Sequence, residues 1–403
     1  MLRKTLWILA ATSSLASFGA CKWTEFDDLA DTTWVHSQGK PDVNSTDYAL
    51  SLLQVQHSGD GGTIAVIGAN EPTFSTLIYD TKGNTKLGSA AVDLNKEYTI
   101  NSIPDAPALV SDPETDNVAL VIPSTEGRTV VLDGPADALV ELTLDDPKPN
   151  TATFVSSGVA GTPSALLVTG TGTFHGIDTT NKASTCKATL ADTTTPLQAL
   201  ALAISGTSVL AWTDKGLLVT YDLATVQGTC DGTTVLAAVP TGTAVDTGFL
   251  PGPRSKLIPV LDHYVLLAGI APMDTGAGMV GVLDLSTGLM TNTPAMFPGL
   301  RSFALGSIEA STYAVLGFPA RAVQSVPAGQ VEVHELDLTA ASGPVLKDEV
   351  KLSLSDAQPQ ANQSFGRAVE IMHFNDDAII VVAGDNEIFS YYRPALAFTD
   401  TRK

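Results

Sequence analysis

Residues 264–284 read YVLLAGIAPMDTGAGMVGVLD: an apolar run, a turn containing Ala-Pro, and a second run that ends on Leu283-Asp284. The same arrangement occurs seven times along the chain, at intervals of 44 to 66 residues. The first run of each copy contains one reference position, and these positions are Ile64, Val118, Ala165, Val209, Val265, Tyr313 and Ile379. A recurring interval of this length indicates one supersecondary unit repeated seven times.

Each unit has room for four strands. An apolar strand precedes the pair of runs, for example residues 256–261, and a more polar strand often follows, for example residues 346–354. Four short strands in a period of about 45–55 residues, without a 3.6-residue pattern, are typical of a propeller blade. Middle strands that are buried on both faces read as continuous apolar runs. We therefore predict an all-β fold, a seven-bladed β-propeller with four-stranded antiparallel blades.

An aspartate ends the second run of most units. These residues are Asp80, Asp133, Asp178, Asp222, Asp284 and Asp337. A ring of carboxylates is one interpretation. We favour the other, in which each aspartate accepts hydrogen bonds from backbone N–H groups in the turn that follows, as aspartate commonly does.

Closure of the propeller requires a strand from one end of the chain. Residues 31–36 (DTTWVH) precede the first unit and offer the missing outer strand of the last one. Residues 395–401 (ALAFTDT) are the alternative. The sequence leaves both open.

The amino terminus has the features of an export signal. Arg3 and Lys4 precede an apolar run that is too short for a membrane span, and small residues follow it. Residues 17–21 (SFGAC) resemble a bacterial lipobox, which implies cleavage before Cys21 and lipidation of that residue. An ordinary secretion signal with an incidental cysteine is the alternative. The predicted organisation is a lipoprotein signal peptide over residues 1–20, a lipidated segment and possible closing strand over 21–40, and the propeller over 41–403.

Composition limits the function further. The chain has 22 basic and 43 acidic residues and a net charge of −21, which argues against a nucleic-acid partner because phosphate binding needs a clustered basic surface. The six histidines are scattered and no Cys-x-x-Cys occurs, so we predict no metal site and no cofactor. No later segment is long and apolar enough to span a membrane, so a lipid on Cys21 is the predicted membrane attachment.

Several later units resemble the FG-GAP repeats of integrin α-chain type propellers. Phe365-Gly366, followed by residues 379–384 (IIVVAG), matches the opening Phe-Gly and the later apolar segment of that repeat. Residues 269–272 (GIAP) match its Gly-x-Ala-Pro segment, and residues 317–320 (GFPA) repeat the arrangement with the last two residues in the opposite order. The resemblance implies a propeller. The family often holds Ca²⁺ in an Asp-rich loop, but the equivalent loops here lack three spaced carboxylates, so we do not predict calcium.

Two pairs of residues are further candidates for a role. Cys186 and Cys230 form an even pair in an oxidising compartment, which favours a disulfide. Their equivalent positions in neighbouring units argue against it, because outer strands diverge and a disulfide needs Cα atoms within about 7 Å. Arg321 and Arg367, in or near loops of the last two units, are candidate contacts for a carboxylate or a glycan, although we favour a purely solvated role for both.

No catalytic signature occurs in the sequence, and we predict that the protein is not an enzyme. The leading hypothesis is a binding or adhesion module at the cell envelope, lipid-anchored to the outer membrane, that recognises a protein or polysaccharide partner. A periplasmic propeller scaffold for outer-membrane assembly is the second hypothesis. A glycan-active or quinone-dependent propeller enzyme is the third. Whether the protein faces the periplasm or the outside is left open.

Overall fold

The computed structural model describes the strands alone before residue 199, and strands with their connections in much of the later chain. The later described residues are 199–227, 235–238, 241–251, 255–261, 263–272, 274–308, 311–356, 359–361, 363–374, 377–384 and 388–392. Cys21 and residues 395–401 lie outside this part of the chain. Within it, the strands form seven sheets of four or five strands and one two-stranded hairpin. We number the sheets 1 to 7 in the chain order of their first strands.

Sheets 1 to 3 lie in the amino-terminal half of the chain. Sheet 1 contains β2 (Ala49–Gln56), β3 (Gly62–Asn70), β4 (Thr73–Asp80) and β5 (Asp93–Thr99). Sheet 2 contains β6 (Ala108–Ser111), β7 (Val118–Pro123), β8 (Arg128–Asp133) and β9 (Ala138–Thr143). Sheet 3 contains β10 (Pro149–Phe154), β11 (Ala165–Thr169), β12 (Thr173–Asp178), β13 (Ala183–Leu190) and, from later in the chain, β17 (Val235–Ala238).

Sheets 4 and 5 follow. Sheet 4 contains β14 (Ala199–Ser205), β15 (Ser208–Thr213), β16 (Leu217–Asp222) and β18 (Val245–Asp246), with the short helix α1 (Leu223–Gln227) after β16. Sheet 5 contains β19 (Lys256–Leu261), β20 (Tyr264–Ala271), β21 (Asp274–Asp284), β22 (Leu289–Met290) and β23 (Ala295–Pro298).

Sheets 6 and 7 complete the described structure. Sheet 6 contains β24 (Ser302–Ile308), β25 (Ser311–Phe318), β28 (Gln330–Asp337) and β29 (Val345–Leu354). The hairpin β26 (Ala322–Val323) and β27 (Val326–Pro327) lies between its second and third strands. Sheet 7 contains β30 (Ala368–Phe374), β31 (Asp377–Ala383), β32 (Ile388–Tyr392) and, from the amino terminus, β1 (Trp34–Gln38).

The amino-terminal strand completes the last sheet. β1 pairs antiparallel with β32, in a register that runs from Trp34 opposite Tyr392 to Gln38 opposite Ile388. Of the two arrangements that the sequence left open, this is the one that uses the segment before the first unit. Because β1 and β32 come from opposite ends of the chain, their pairing joins the two ends in one sheet.

The first strands of successive sheets contact one another in chain order. β2 contacts β6, β6 contacts β10, β10 contacts β14, β14 contacts β19, and β24 contacts β30. β30 in turn contacts β2, which brings the last sheet against the first. The step from sheet 5 to sheet 6 is made by a shared core that includes Leu266, Val280, Phe303 and Leu316.

Strand β25 shows why the middle strands are apolar throughout. Ala314 and Leu316 pack in the core shared with sheet 5, whereas Val315 packs in the core shared with sheet 7. Alternate side chains of a strand point to opposite faces, so a strand between two sheets buries every residue. Each fully buried Val, Leu or Phe side chain contributes about 1.5–3 kcal/mol. The continuous apolar runs that predicted the repeat are thus the strands with two buried faces.

Candidate functional site

The candidate site is one end of sheets 4 to 7, which we call the linker edge. There the linker into the first strand of each sheet meets the connection between the second and third strands of the sheet before it. Its described residues are 213–217, 246–251, 255, 271–272, 298–302, 318–330 and 363–368. Loops carried on a rigid scaffold are the usual place for binding residues, so these segments are the first to consider.

Three linkers are fixed by the same contact. Phe249, Leu300 and Phe365 are buried linker residues, with exposed fractions of 6% or less. Each packs on a glycine of the preceding sheet, and these glycines are Gly216, Gly278 and Gly329 respectively. A β-carbon on Gly216 would lie 2.6 Å from the Phe249 carbonyl oxygen, and one on Gly329 would collide with the Phe365 backbone. The backbones of Phe249 and Phe365, and the side chain of Leu300, therefore approach as closely as only glycine permits.

The sheet 4 linker has a buried polar contact as well. The Thr247 hydroxyl lies 2.8 Å from the carbonyl oxygens of Gly216 and Phe249, and it accepts a hydrogen bond of 3.2 Å from the Trp212 indole N–H. The rings of Trp212 and Phe249 meet edge to face with centroids 5.3 Å apart. Satisfied polar groups and an aromatic pair together hold this linker rigid.

The sheet 6 linker edge is built around a longer connection. Residues 318–330 carry the hairpin β26–β27, which turns at Gln324 and Ser325. At its base, the Gly329 N–H donates to the Arg321 carbonyl at 2.9 Å, and the Phe365 N–H donates to the Ala328 carbonyl at 2.8 Å. The linker into sheet 7 thus hydrogen-bonds to the base of the hairpin.

Arg321, a predicted ligand contact, lies at that base. Its guanidinium stacks 3.6 Å from the centroid of the Phe318 ring, forms an ion pair with Glu332, and donates to the Gln330 amide oxygen at 3.3 Å. These contacts hold the two arms of the 318–330 connection together. The side chain remains 31% exposed, so the structure gives Arg321 a positioning role within sheet 6.

Arg367, the other predicted contact, follows the linker glycine Gly366. Its backbone N–H donates to the Ser364 carbonyl at 2.9 Å, and the residue is half-buried. The Ser302 hydroxyl donates to the Gly366 carbonyl at 2.7 Å, which links the first residue of β24 to this linker. Arg321 and Arg367 therefore lie on segments that the structure brings to one end of sheet 6.

A charged pair crosses between first strands. The Lys256 ammonium of β19 lies 3.3 Å from the Glu370 carboxylate of β30, so the pair connects sheet 5 to sheet 7. The Glu370 side chain is 11% exposed and also accepts a hydrogen bond from the Ile371 N–H. Because burial of an unpaired carboxylate is costly, Lys256 compensates Glu370 where the first strands converge.

A small cleft lies beside this pair, bordered by Ser255, Gly269, Arg301 and Ser302. Its volume of about 20 Å³ is room for one water molecule. Arg301 is exposed, and its backbone N–H donates to the Gly317 carbonyl at 2.9 Å.

Sequence analysis did not identify Lys256, Glu370 or Arg301. Lys256 and Glu370 are 114 positions apart, and nothing in the local pattern relates them. Arg301 immediately precedes the first strand of sheet 6, as Arg367 immediately precedes that of sheet 7. For Arg301, the signal in the sequence is a basic residue directly before an apolar strand.

The aspartates after the third strands cap turns, as predicted, in the three cases that the structure describes. The carboxylate of Asp222 accepts from the N–H and hydroxyl of Thr225 at the start of α1. Asp284 accepts both groups of Ser286, and Asp337 both groups of Thr339. The hydrogen bond from the Thr225 hydroxyl is the main reason why the pKa of Asp222 is below its usual value. The pKa of Asp337 is lowered first by the Thr339 N–H.

His334 is buried between sheets 5 and 6. Its Nδ1 lies 3.0 Å from the Lys347 carbonyl oxygen, its Nε2 lies 3.6 Å from the Glu332 carboxylate, and its ring meets Phe297 edge to face. With 2% of the residue exposed, His334 is a core histidine that joins the two sheets.

The cysteines are placed only in part. Cys186 lies in β13, and Cys230 lies outside the described residues. Five residues after Cys230, Val235 begins β17, which pairs in parallel with β13 in a register of Lys187 opposite Val235. The chain therefore returns from sheet 4 to the strand that carries Cys186, and the proposed disulfide stays a prediction.

Neither a metal-binding cluster nor a membrane-spanning helix occurs in the part of the chain that the structure describes. No group of three His, Cys, Asp or Glu side chains in this part of the chain is arranged to hold a metal ion. Over the same residues, no helix has the length and apolarity needed to cross a bilayer.

Comparison with solved structures identifies the architecture of the chain. BBS1N, from a crystal structure in complex with ARL6DN soaked with lead, is 11% identical with a TM-score of 0.55, over 90% of this chain and 98% of its own. A chain of the mitotic checkpoint complex is 12% identical with a TM-score of 0.53, over 90% of this chain and 92% of its own. Both neighbours have propeller folds. The architecture is propeller-like.

At these identities the likeness concerns the fold alone. No protein-family model matches the chain, and no curated protein sequence matches it significantly. The resemblance to FG-GAP repeats is therefore not tested by these comparisons, and it stays a prediction that rests on the residues quoted above.

Proposed function

We propose that the protein is a non-catalytic protein-binding module, a seven-bladed β-propeller of the FG-GAP type that a lipid on Cys21 holds at the bacterial cell envelope. The observation that carries the proposal is the linker edge, where rigidly anchored connections end in an exposed hairpin. Such a surface suits recognition of a macromolecule.

Two further observations support the proposal. The contacts of the first strands in chain order, with β30 against β2, are those expected of a closed ring of seven blades. The similar solved chains are propellers from protein complexes, which favours a protein partner over a polysaccharide for this one.

Lipidation and location are tested together. We would label cells with a fatty acid and compare the wild type with Cys21→Ala, using Cys186→Ala as the matched cysteine control. The proposal predicts label in the wild type and in Cys186→Ala, and none in Cys21→Ala. Label that persists in Cys21→Ala, or its absence in the wild type, would contradict the lipid anchor.

Protease treatment of intact cells then separates the two envelope hypotheses. Digestion of labelled protein on intact cells would support an external binding module. Digestion only after the outer membrane is opened would instead favour the periplasmic scaffold for outer-membrane assembly.

Partner binding is tested by photo-crosslinking of the full-length protein in cells, with a photoreactive residue at one exposed linker-edge position at a time. The proposal predicts a discrete protein adduct from at least one position. Adducts from none of them, with the protein folded and exported, would overturn the protein-binding function.

A further inference from the structure

Three cationic residues lie where the first strands of sheets 5, 6 and 7 begin. Lys256 is the first residue of β19, Arg301 directly precedes β24, and Arg367 directly precedes β30. We call these three residues the cationic cluster. The whole chain has 43 acidic and 22 basic residues, so cations at the start of three successive first strands reverse its overall charge locally.

Hydrogen bonding and packing bring the backbones of the cluster together. The Ser302 hydroxyl donates to the Gly366 carbonyl at 2.7 Å, and these two residues are the chain neighbours of Arg301 and Arg367. The lysine of the cluster follows Ser255, which borders the same cleft as Arg301 and Ser302. The cluster therefore lies at one place on the linker edge, where the first strands converge.

The linkers that carry the cluster are free of acidic residues. Residues 252–256 (GPRSK), 298–302 (PGLRS) and 363–368 (QSFGRA) contain four basic residues and no aspartate or glutamate. The Glu370 carboxylate, which lies 3.3 Å from the Lys256 ammonium, offsets one of these charges. The surface around the two arginines thus keeps a net positive charge.

Arg301 is the member of the cluster best placed to contact a partner. The residue is exposed, and within the part of the chain that the structure describes its guanidinium has no hydrogen-bond or ion-pair partner. Its backbone N–H donates to the Gly317 carbonyl at 2.9 Å, and a β-carbon on Gly317 would collide with Ser302 and Gly366. A fixed backbone below an exposed guanidinium lowers the entropic cost of binding.

The chemistry and the setting of the cluster select an acidic segment as its ligand. A guanidinium is a planar fork that binds a carboxylate through two parallel hydrogen bonds. An extended polyanion or an anionic membrane would also meet the rest of the chain, whose net charge of −21 repels it. A short acidic segment needs only the cluster, and the surrounding negative charge then fixes the place where it docks.

We propose that the cationic cluster docks a segment of a protein partner that is rich in aspartate or glutamate. This inference rests on the proposed protein-binding function. Arg301 binds the carboxylates of the segment, and Arg367 adds a second positive charge beside it. Lys256 compensates the buried Glu370, so that this carboxylate does not repel the segment.

The test titrates the full-length protein with a fluorescent oligoglutamate peptide, with oligoglutamine as the uncharged control. We expect oligoglutamate to bind and oligoglutamine not to bind. Arg301→Gln should raise the dissociation constant about tenfold, because it removes a charge-assisted hydrogen-bond donor. Lys215→Gln is the matched control, since it removes the same charge from an exposed linker-edge position of sheet 4, and it should change the constant less than about twofold.

Two further measurements separate the guanidinium fork from its charge and from folding. Arg301→Lys keeps the charge but loses the fork, so it should recover only part of the affinity. Arg301→Gln keeps the backbone N–H that holds residue 301 and should leave the melting temperature within about 1 °C of the wild type. If the melting temperature falls together with the affinity, Arg301 is not a contact for the segment.

Three results would overturn the inference. Oligoglutamate that does not bind, or equal losses in Arg301→Gln and Lys215→Gln, would exclude docking of an acidic segment at the cluster. Tighter binding of oligogalacturonate, a carboxylated polysaccharide, would exclude the choice of a protein segment. Photo-crosslinking from the other linker-edge positions tests protein binding independently, so this inference can fail while the proposed function stands.

Discussion

Sheets 4 and 6 connect their second and third strands in two different ways. In sheet 4, the second and third strands are joined by the short charged turn Asp214-Lys215-Gly216, and Gly216 lies under Phe249. In sheet 6, the equivalent connection runs over residues 318–330, and only its last glycine, Gly329, lies under Phe365. The anchor is common to both, and the hairpin is an addition to one of them.

The comparison separates the glycine–linker contact, which both sheets have, from the hairpin, which only sheet 6 of the two has. A left-handed glycine beneath a buried linker phenylalanine occurs in both sheets, so we assign that contact to stability. The hairpin β26–β27 occurs in sheet 6 and has no equivalent in the short turn of sheet 4, so the fold does not require it for the anchor. Substitutions at matched positions of the two sheets can test this division.

The anchoring phenylalanines should have the largest effect on stability. Phe249→Ala and Phe365→Ala each remove a fully buried ring and should lower the free energy of unfolding by about 3–5 kcal/mol. Phe249→Ala should be the more damaging by about 1 kcal/mol, because it also loses the edge-to-face contact with Trp212. Urea unfolding measures both.

Phe249→Leu and Phe365→Leu are the matched controls, since leucine keeps most of the apolar contact. They should retain more than half of the lost stability. Alanine variants that unfold like the wild type would show that the linkers are not anchored by these rings, and the comparison of sheets 4 and 6 would fail.

The glycines that face the backbones of these linkers should have the next largest effect. Gly329→Ala should cost about 4 kcal/mol, because its φ of 99° is unfavourable for alanine and the added methyl meets the Phe365 backbone. Gly216→Ala, with φ at 76° and the oxygen of Phe249 2.6 Å away, should cost about 3 kcal/mol.

Gly206 provides the control for these two glycines. It has φ at 56° and nothing within 4 Å of an added β-carbon, so alanine there carries only the conformational cost of about 1–2 kcal/mol. If all three alanine variants lower the free energy of unfolding equally, the conformational cost accounts for the whole loss of stability. The close approach of the linkers would then contribute nothing.

The sequence predicted the sheets better than it predicted the site. Continuous apolar runs located strands such as β20 and β25, because burial on both faces leaves a signal in the residues themselves. The aspartate caps were predictable for a similar reason, since Asp337 and its partner Thr339 are two positions apart. Contacts between residues that are close together in the sequence can therefore be predicted from the sequence.

The contacts of the site depend on register and on distant segments. Arg321 forms an ion pair with Glu332 across the connection, a contact that the sequence alone does not align, and its role as a ligand contact stays a prediction. The hairpin turn at Gln324 and Ser325 lacks the glycine that would have marked it. β17 leaves sheet 4 to pair with sheet 3, which a repeat analysis of separate units does not anticipate.

Substitution of Arg321, a residue without a counterpart in sheet 4, should have a moderate effect on the free energy of unfolding. Arg321→Gln removes the ion pair with Glu332 and the stacking on Phe318, and should lower the free energy of unfolding by about 1–2 kcal/mol. Arg321→Lys keeps the charge but loses the planar stack, so it should recover only part of the loss. Full recovery by lysine in urea unfolding would mean that charge alone holds the base of the hairpin.

The smallest effect concerns the caps Asp222 in sheet 4 and Asp337 in sheet 6. Hydrogen bonds to the folded-state carboxylates lower the pKa of both groups, so each stabilises the fold above the pKa of an unfolded aspartate. That contribution disappears as the pH falls through the lowered pKa, and Asp222→Asn and Asp337→Asn should each flatten the loss of stability in acid.

The carboxylate of Asp337 also lies 3.6 Å from the Lys347 ammonium, whereas Asp222 is held by Thr225 alone. Added salt should therefore reduce the effect of Asp337→Asn more than that of Asp222→Asn, since salt screens an exposed ion pair more than a hydrogen bond between neighbours. Equal salt responses in acid unfolding would show that Lys347 contributes nothing to the cap of sheet 6, and that the two caps are equivalent.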